Sequence, residues 1–184
     1  MSFVTFIVPT IGRPTLERTL KSLVDQEDGD WNAVVVADAV ENFQMPRLDN
    51  RICSLNLDRK LGESNHGGYV RNQGIHHAEG LWIGFVDDDD RLDREYSYWL
   101  KAESYGCDLL VFRMKNPDGM ILPEKESLDC CRVGISFALR TGFQREKGLM
   151  FGNSGLEDWA FIEHAREVGA RIKISKRIAY YVRH

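Results

Sequence analysis

The chain has 184 residues, a length typical of one domain with a sizeable hydrophobic core. Its 43% hydrophobic and 28% charged residues are those of an ordinary globular protein and show none of the bias of disordered, collagen-like or membrane proteins. The formal net charge of −4, without any Lys/Arg-rich run, argues against a nucleic-acid-binding protein, which needs a basic face to neutralise phosphates.

The first half of the chain alternates short apolar runs with helical patterns. Four runs are short, apolar and bounded by turn residues, which is typical of buried strands: residues 3–9, 32–37, 52–57 and 81–86. A helix is predicted after Thr15, where Leu16, Leu20 and Leu23 recur on one face, and a second helix is predicted at residues 67–79.

The second half is less regular but continues the alternation. Helices are predicted at residues 96–105 and 156–168, and a glycine-rich loop at residues 141–154. Further strands are predicted at residues 108–114, 135–140, 171–175 and 178–182. This order predicts one α/β domain over residues 1–184, with an open, mainly parallel twisted sheet flanked by helices and ligands bound at the carboxyl ends of the strands.

The stretch FVDDDDRLD, residues 85–93, places four carboxylates directly after an apolar strand. On an extended chain, side chains alternate, so Asp87 and Asp89 would share one face and Asp88 and Asp90 the other. At the carboxyl end of a strand, such hard oxygen ligands suit Mg²⁺ or Mn²⁺. The residues alone leave two interpretations open, a metal site and a solvated turn that precedes a helix.

Other polar side chains follow neighbouring strands. Residues 10–13 follow the first strand and Asp38 follows the second, so these clusters are expected to meet at one edge of the sheet. Arg13, Lys60 and Arg71 are cations placed to meet a phosphate there, although each of them is equally compatible with a surface position.

Several of these motifs together resemble the family 2 glycosyltransferases of the GT-A fold, the nucleotide-diphospho-sugar transferase fold. The resemblance covers nearly the whole chain, and its motifs occur in the expected order: FIVPTIGR at 6–13, TLKSLVDQ at 19–26, VVVAD at 34–38, GGYVRNQGIHHAEGLWIGFVDDDD at 67–90 and GLEDW at 155–159.

The resemblance implies a nucleotide-diphospho-sugar donor and a divalent metal cofactor, Mn²⁺ or Mg²⁺. The acidic run matches the DxD motif, with Asp89 as the expected direct metal ligand. The positions that match nucleotide-binding residues of the family are Pro9, Thr10, Arg13, Asp38, Arg71, Asp87 and Asp88.

The resemblance also implies an inverting reaction with a carbohydrate or other hydroxyl acceptor. Asp158, or secondarily Glu157, matches the family's catalytic base. The chain departs from the family pattern at Ala37, which replaces the first aspartate of the common VDD, and it ends at YYVRH, where His184 is a candidate third metal ligand. Family members often continue past such a segment, which leaves acceptor binding by another chain or module as an open alternative.

Two other functions remain as alternatives. A nucleotidyltransferase also uses an α/β sheet, a metal and carboxylates, but PTIGRPT lacks the glycine-rich loop with lysine expected after the first strand. A catalytically silent sugar-nucleotide-binding module is compatible with the short chain and with Ala37. The four cysteines include no CxxC pair and are expected to be reduced and structural. Without a basic leader or a membrane-length apolar run, the expected location is the cytoplasm.

Overall fold

The computed structural model describes residues 2–62, 67–152 and 155–183. Within these residues the chain forms one nine-stranded sheet and five helices. The strands are β1 (Val4–Thr10), β2 (Trp31–Ala37), β3 (Ile52–Asn56), β4 (Trp82–Phe85), β5 (Arg91–Leu92), β6 (Leu109–Lys115), β7 (Ile121–Leu122), β8 (Phe137–Arg140) and β9 (Ile172–Tyr181). The helices are α1 (Leu16–Val24), α2 (Gly68–His76), α3 (Tyr96–Glu103), α4 (Thr141–Lys147) and α5 (Glu157–Glu167).

The sheet has the strand order β3-β2-β1-β4-β8-β6-β9-β5, with β7 paired to β6. Strands β3, β2, β1 and β4 are mutually parallel. The chain moves from β1 to β2 on one side and later returns to β4 on the other side of β1. In parallel sheets such a reversal of strand order opens a crevice at the carboxyl ends of the two diverging strands.

Strand β1 is the centre of the hydrophobic core, and all seven of its residues are buried. Phe6 packs edge-on against Tyr96 of α3 on one face of the sheet. The neighbouring Ile7 points to the other face, where it lies against Gly74 of α2. A strand covered on both faces has no polar alternation, which explains the continuous apolar run in its sequence.

The α/β fold is confirmed, but the sheet becomes mixed beyond β4. Strand β8 runs antiparallel to both β4 and β6, while β6 and β9 are parallel. The chain turns back after β6 through the short strand β7 instead of crossing over through a helix. Parallel pairing needs such a crossover, so β8 enters the sheet in the opposite direction.

Two predicted elements differ in the structure. The predicted loop after β8 begins with the short helix α4, which ends at Gly148 with a left-handed φ of 64°. Its seven residues are too few to show a helical period, and it is fixed by tertiary contacts, including a 2.6 Å hydrogen bond from Thr141 Oγ1 to the Gly80 carbonyl. The last two predicted strands form the single strand β9, whose register against β6 shifts in the middle.

None of the helices in the described residues has the length and apolar character needed to cross a membrane.

Candidate active site

The carboxyl ends of β1, β2 and β4 surround a cleft of about 260 Å³. The cleft contains every nucleotide-binding residue predicted from the sequence, together with Asp89 and the predicted cation Lys60. Its lining residues are Pro9, Thr10, Ile11, Arg13, Asp38, Lys60, Gly62, Gly67, Val70, Arg71, Asp87, Asp88, Asp89 and Arg183. The structure therefore brings together side chains that are up to 174 positions apart in the sequence, from Pro9 to Arg183.

The four aspartates do not alternate as on a strand, because the chain turns at this point. The Asp90 amide donates to the Asp87 carbonyl at 3.1 Å, which closes a turn directly after β4. The expected extended geometry is therefore wrong, although burial follows the expected grouping, with Asp88 and Asp90 buried and Asp87 and Asp89 partly exposed. The turn also gives each carboxylate its own surroundings.

Asp88 is buried, and its carboxylate accepts hydrogen bonds from two residues that line the cleft. Thr10 Oγ1 donates to Asp88 Oδ2 at 2.6 Å, and Arg13 Nη1 donates to Asp88 Oδ1 at 2.6 Å. Both oxygens are thus engaged by the loop that follows β1. Asp88 fixes Thr10 and Arg13 relative to the acidic turn, so it shapes the cleft through these two residues.

Asp90 is also buried and faces away from the cleft. Tyr180 of β9 donates its hydroxyl to Asp90 Oδ2 at 2.7 Å, and the Arg183 amide donates to Asp90 Oδ1 at 2.7 Å. Burial, together with the nearby negative charge of Asp87, raises the pKa of Asp90 to about 7. The last of the four aspartates therefore anchors the end of β9 to the acidic turn.

Asp89 is the member of the run that is most available for a metal ion. Its side chain is 24% exposed, against 3% for Asp88, and its oxygens lie 3.6 Å from Arg13 Nη1 and from Arg183 Nε. The Asp87 side chain is 32% exposed, but its Oδ1 is already held by the ion pair with Arg71. Mg²⁺ is commonly bound by one or two carboxylates together with substrate phosphates. Asp89 and its setting fit such a site, whereas the described residues hold no group of three His, Cys, Asp or Glu arranged to bind a metal unaided.

Asp38 anchors the wall of the cleft opposite the acidic turn. Its buried carboxylate accepts hydrogen bonds from the amides of Leu61 and Gly62, at 2.6 and 2.9 Å. It thereby fixes residues 61 and 62 beside the carboxyl end of β2.

A buried chain of charges connects this cleft to helix α5. Arg71 lies on α2, and its Nη2 pairs with Asp87 Oδ1 while its Nη1 pairs with Glu157 Oε1, each at 2.5 Å. Burial alone would lower the pKa of Arg71, but the charges of Asp87, Asp158 and Glu157 outweigh it and raise the pKa above its usual value. Arg71 is therefore a permanent buried cation between two carboxylates.

Glu157 is fully occupied by these interactions. Its Oε1 and Oε2 also accept hydrogen bonds from the amides of Gly67 and Gly68, at 3.1 and 2.9 Å. These amides begin α2, where orphan N–H groups and the helix dipole favour a negative charge. Glu157 thus acts as a cap for α2 supplied by the first turn of α5.

Asp158, the next residue, is placed differently. It lines a second cavity, of about 200 Å³, with Gly67, Arg71, Asp87, Cys131, Val133, Gly155, Leu156, Glu157 and Trp159. Its Oδ1 atom is shielded from solvent and has no hydrogen-bond partner among the described residues. Burial, opposed by Arg71 and reinforced by Asp87 and Glu157, raises the pKa of Asp158 to about 7.

The cleft and the second cavity share one wall, formed by Gly67, Arg71 and Asp87. The acidic turn therefore lies on one side of this wall and Asp158 on the other. A carboxylate with one oxygen free of hydrogen bonds in the described residues and a pKa near neutrality is suited to general-base chemistry at the junction of the two spaces.

Some of the residues predicted from the sequence lie away from both cavities or are not among the residues that the structure describes. His184, the candidate third metal ligand, is not among the described residues. The sequence also offers Trp159 and Trp99 as candidates for stacking on a sugar, because aromatic faces suit carbohydrate C–H surfaces. Trp159 lines the second cavity, whereas Trp99 packs under the Arg177 guanidinium at 3.6 Å and lines neither space.

Sequence reasoning missed Tyr180 and Arg183 as parts of the site. Both belong to the YYVRH segment, whose only sequence signal was its similarity to a family segment. Their contacts with Asp90 and Asp89 depend on β9 reaching the acidic turn through the pairing of Arg91 with Tyr181.

Comparison with known proteins identifies the family, since residues 5–112 match glycosyl transferase family 2. The chain belongs to this family. The matched residues include β1, the acidic turn and Arg71, and they exclude α5 with Glu157 and Asp158. The family membership agrees with the glycosyltransferase interpretation of the motifs and not with a nucleotidyltransferase.

Two curated relatives of this family member are longer proteins. The succinoglycan biosynthesis protein ExoO of Rhizobium meliloti is 34% identical over 115 residues, which are 59% of this chain and 32% of ExoO. The poly(ribitol-phosphate) beta-N-acetylglucosaminyltransferase TarS of Staphylococcus aureus is 30% identical over 125 residues, 64% of this chain and 22% of TarS. This chain thus spans about one third of ExoO and less than that of TarS.

Solved structures extend the likeness to the whole fold. A crystal structure of S. aureus TarS 1–349 in complex with UDP-GlcNAc aligns with a TM-score of 0.79 at 23% identity, covering 99% of this chain and 58% of that one. A second, in complex with UDP, aligns with a TM-score of 0.75 at 21% identity over 99% of this chain and 60% of that one. These matches confirm the GT-A type α/β fold.

Proposed function

We propose that this domain transfers a sugar from a nucleotide-diphospho-sugar donor to an acceptor hydroxyl, with inversion at the anomeric carbon and dependence on Mn²⁺ or Mg²⁺. The observation that carries this proposal is the shared wall of Gly67, Arg71 and Asp87. It separates a cleft with a nucleotide-binding pattern from a cavity in which Asp158 Oδ1 has no hydrogen-bond partner among the described residues, so donor and acceptor can meet across it.

The donor is assigned to the larger cleft. Pro9, Thr10, Arg13 and Asp38 would surround the base and ribose, with Arg71, Asp87 and Asp88 shaping the floor toward the diphosphate. Lys60 and Arg183 add positive charge at the rim, which favours an anionic ligand in a protein of net charge −4. Because TarS structures contain UDP-GlcNAc and UDP, we propose a UDP-sugar as donor.

Asp89 would be the protein ligand of the metal, and oxygens of the donor's diphosphate would supply further ligands. A divalent ion bound there supplies neutralisation of the charge that develops on the departing nucleoside diphosphate. Arg71 holds the Asp87 carboxylate in place through their 2.5 Å ion pair. The distribution of roles within the acidic turn thus follows from which carboxylates are already engaged.

Asp158 is assigned as the general base. It accepts the proton from the acceptor hydroxyl while that oxygen attacks the anomeric carbon and the bond to the diphosphate oxygen breaks. A single displacement of this kind inverts the anomeric configuration and needs no covalent intermediate. A pKa of about 7 suits this role near neutral pH, and the full occupancy of Glu157 favours Asp158 over Glu157.

The proposal is tested by incubating the protein with UDP-sugars, Mn²⁺ and a panel of carbohydrate and polyol acceptors. We expect release of UDP and a glycosylated product with the anomeric configuration opposite to that of the donor. Asp158→Asn is expected to lower kcat about 100-fold or more, the usual contribution of a general base, with little change in donor Kd.

Glu163→Gln is a matched control, because Glu163 lies further along α5 in an exposed ion pair with Arg166. It is expected to keep the activity of the unsubstituted protein. UDP-sugar binding without turnover across the acceptor panel would instead support the silent binding module, and release of pyrophosphate would support a nucleotidyltransferase. Turnover of the Asp158→Asn protein at the normal rate would refute the assignment of the base.

A further inference from the structure

The connection between β7 and β8 carries two adjacent cysteines, Cys130 and Cys131, whose side chains are both exposed. Their Sγ atoms lie 3.6 Å apart. The Arg132 amide donates to the Asp129 carbonyl at 3.0 Å, so the two cysteines are the central residues of a four-residue turn. The sequence places these thiols next to each other, and the turn directs both to the same side.

Cys131 occupies a position that glycine would normally take. Its φ of +63° lies in the left-handed region at the third residue of the turn. A type II turn requires a positive φ at its third residue, and glycine or asparagine usually occupies that position. Non-glycine residues in this conformation occur mostly where the surroundings or a function hold them.

The same residue forms part of the wall of the second cavity. Cys131 and Val133 line it together with Asp158 and Trp159. Val133 is buried and fixes the end of the turn in the core, so movement of the turn is transmitted to the cavity wall. The dithiol is therefore placed to combine two features, accessibility to solvent and contact with the space that contains Asp158.

We propose that Cys130 and Cys131 form a dithiol modification site that is oxidised to a vicinal disulfide by low-molecular-weight disulfides, and that closing this ring reshapes the wall of the second cavity. The chemical part of this inference is independent of the proposed function. It assigns a redox role to cysteines that composition alone indicated to be structural.

The exchange occurs in two steps. One cysteine thiolate attacks a sulfur of the small disulfide, the S–S bond of that disulfide breaks, and one small thiol leaves as a mixed disulfide forms on the protein. The second cysteine thiolate then attacks the protein sulfur of the mixed disulfide and expels the second small thiol. In total two cysteine thiols are oxidised, one small disulfide is reduced to two thiols, and the two cysteine protons end on those thiols.

Geometry explains why this bond would be reversible. A disulfide needs a sulfur separation of about 2.05 Å, so the thiols must approach by about 1.5 Å. Adjacent Cα atoms are about 3.8 Å apart, below the usual disulfide range of about 4.4–6.8 Å. Strained and exposed disulfides are the readily reduced ones, so the dithiol is expected to persist under reducing conditions and to respond when the ratio of disulfide to thiol rises.

The experiment treats the full chain with oxidised glutathione and maps its cysteine peptides by mass spectrometry. We expect the peptide with Cys130 and Cys131 to lose the mass of two hydrogens and to regain it with dithiothreitol. Cys53 is the internal control, since it is exposed but has no neighbouring cysteine and can add only one glutathione. Cys130→Ser and Cys131→Ser should each stop at a stable glutathione adduct.

A second measurement reports on the cavity. Tryptophan emission should change on oxidation and recover on reduction, and this change should be absent from the Trp159→Phe protein, because Trp159 shares the cavity with Cys131. Unreacted thiols, or glutathione adducts on the Cys130–Cys131 peptide without a disulfide, would overturn the proposed site. A disulfide that leaves Trp159 emission unchanged would overturn its connection to the cavity. Neither readout requires transferase activity.

Discussion

Adjacent residues of identical or similar chemistry have different roles in this protein. Asp88 and Asp90 are buried and already hydrogen-bonded, while Asp89 remains partly exposed at the cleft. Glu157 and Asp158 are separated in the same way, since the first caps α2 and the second has an unpartnered oxygen in the described residues. Composition predicted that carboxylates act here, but their roles depend on the partners that the fold supplies.

Glu157 is expected to be important for stability. In Glu157→Gln, an amide faces Arg71 and the amides of Gly67 and Gly68, so the buried cation loses one of its two ion-pair partners. Breaking a buried pair in this way typically costs about 3–5 kcal/mol of unfolding free energy. Urea denaturation would measure the loss, and Glu163→Gln on the same helix should change the stability by less than about 0.5 kcal/mol. An inactive Glu157→Gln protein of undiminished stability would point to a catalytic role instead.

Asp158 is expected to show the opposite effect on stability. Burial raises its pKa to about 7, so the folded protein holds this proton more tightly than the unfolded chain. The resulting stability is present at low pH and is lost as the pH rises through about 7. Asp158→Asn stays neutral, so it should melt at higher temperature than the unsubstituted protein at pH 8, by about 2–4 °C for each kcal/mol relieved.

Thermal melts at pH 4 and pH 8 check this prediction for Asp158. The difference between the two proteins should shrink toward pH 4, where the folded protein keeps the Asp158 carboxyl protonated. Asp158→Asn is therefore expected to be less active than the unsubstituted protein but more stable at alkaline pH. A lower melting temperature of Asp158→Asn at pH 8 would contradict this prediction. It would show that the folded protein stabilises the charged carboxylate more than burial destabilises it.

At the scale of elements, helix α2 packs closely against both β1 and the first turn of α5. It contains Gly68 and Gly74, and both lie where a side chain would collide with the surroundings. A Cβ on Gly68 would lie 2.6 Å from Glu157 Oε2, and a Cβ on Gly74 would lie 2.4 Å from Ile7 Cγ2. Close packing on β1 and α5 thus explains two residues that weaken a helix in isolation.

Substitution of Gly74 tests this close packing. Gly74→Ala should destabilise the protein by about 1–3 kcal/mol, because overpacking against Ile7 outweighs the gain of roughly 1 kcal/mol in helix propensity. Gly142→Ala in α4 is the matched control, since its Cβ would meet only the flexible Arg140 side chain at 3.2 Å. Chemical denaturation of both variants should give changes of opposite sign or clearly different size, and equal stability of the two would contradict the packing argument.

Sequence patterns predicted the elements well where the hydrophobic signal is long. The strands around β1 and helices α1, α2 and α5 were predicted, because burial requires apolar runs and helical spacing. Helix α4 was missed, since its seven residues span fewer than two helical turns and its position depends on contacts such as Thr141 with Gly80. The division of β9 into two strands was wrong, because the more polar residues 175–177 form an irregularity within one continuous strand, on both sides of which β9 pairs with β6.

At the scale of the molecule, donor, metal and fold are expected to be thermodynamically linked. A ligand at about 100 times its Kd adds about 2.7 kcal/mol to the stability of the folded state. UDP with Mn²⁺ should therefore raise the Tm by roughly 5–10 °C for a chain of this size, and more than UDP alone. Asp89→Asn should abolish the additional shift due to Mn²⁺, whereas Asp118→Asn, in an exposed turn away from the cleft, should retain it. An equal response to Mn²⁺ in both variants would exclude Asp89 as the metal ligand.

By itself, the sequence determined the α/β class, the position of the cleft at the carboxyl ends of β1, β2 and β4, and most of the charged residues that line it. These features follow from apolar periodicity and from the family motifs, which are local properties of the chain. The cytoplasmic location and the metal dependence stay predictions.

Only the tertiary structure decided which of the predicted carboxylates, cations and thiols are free to act. The mixed half of the sheet brings β9 to the acidic turn, and the packing of α5 on α2 engages Glu157 and leaves Asp158 Oδ1 without a hydrogen-bond partner in the part of the chain that the structure describes. The same packing places the Cys130–Cys131 turn at the second cavity. The physical reason is that the availability of a carboxylate or thiol depends on burial and on partners distant in sequence, and neither is encoded in the spacing of neighbouring residues.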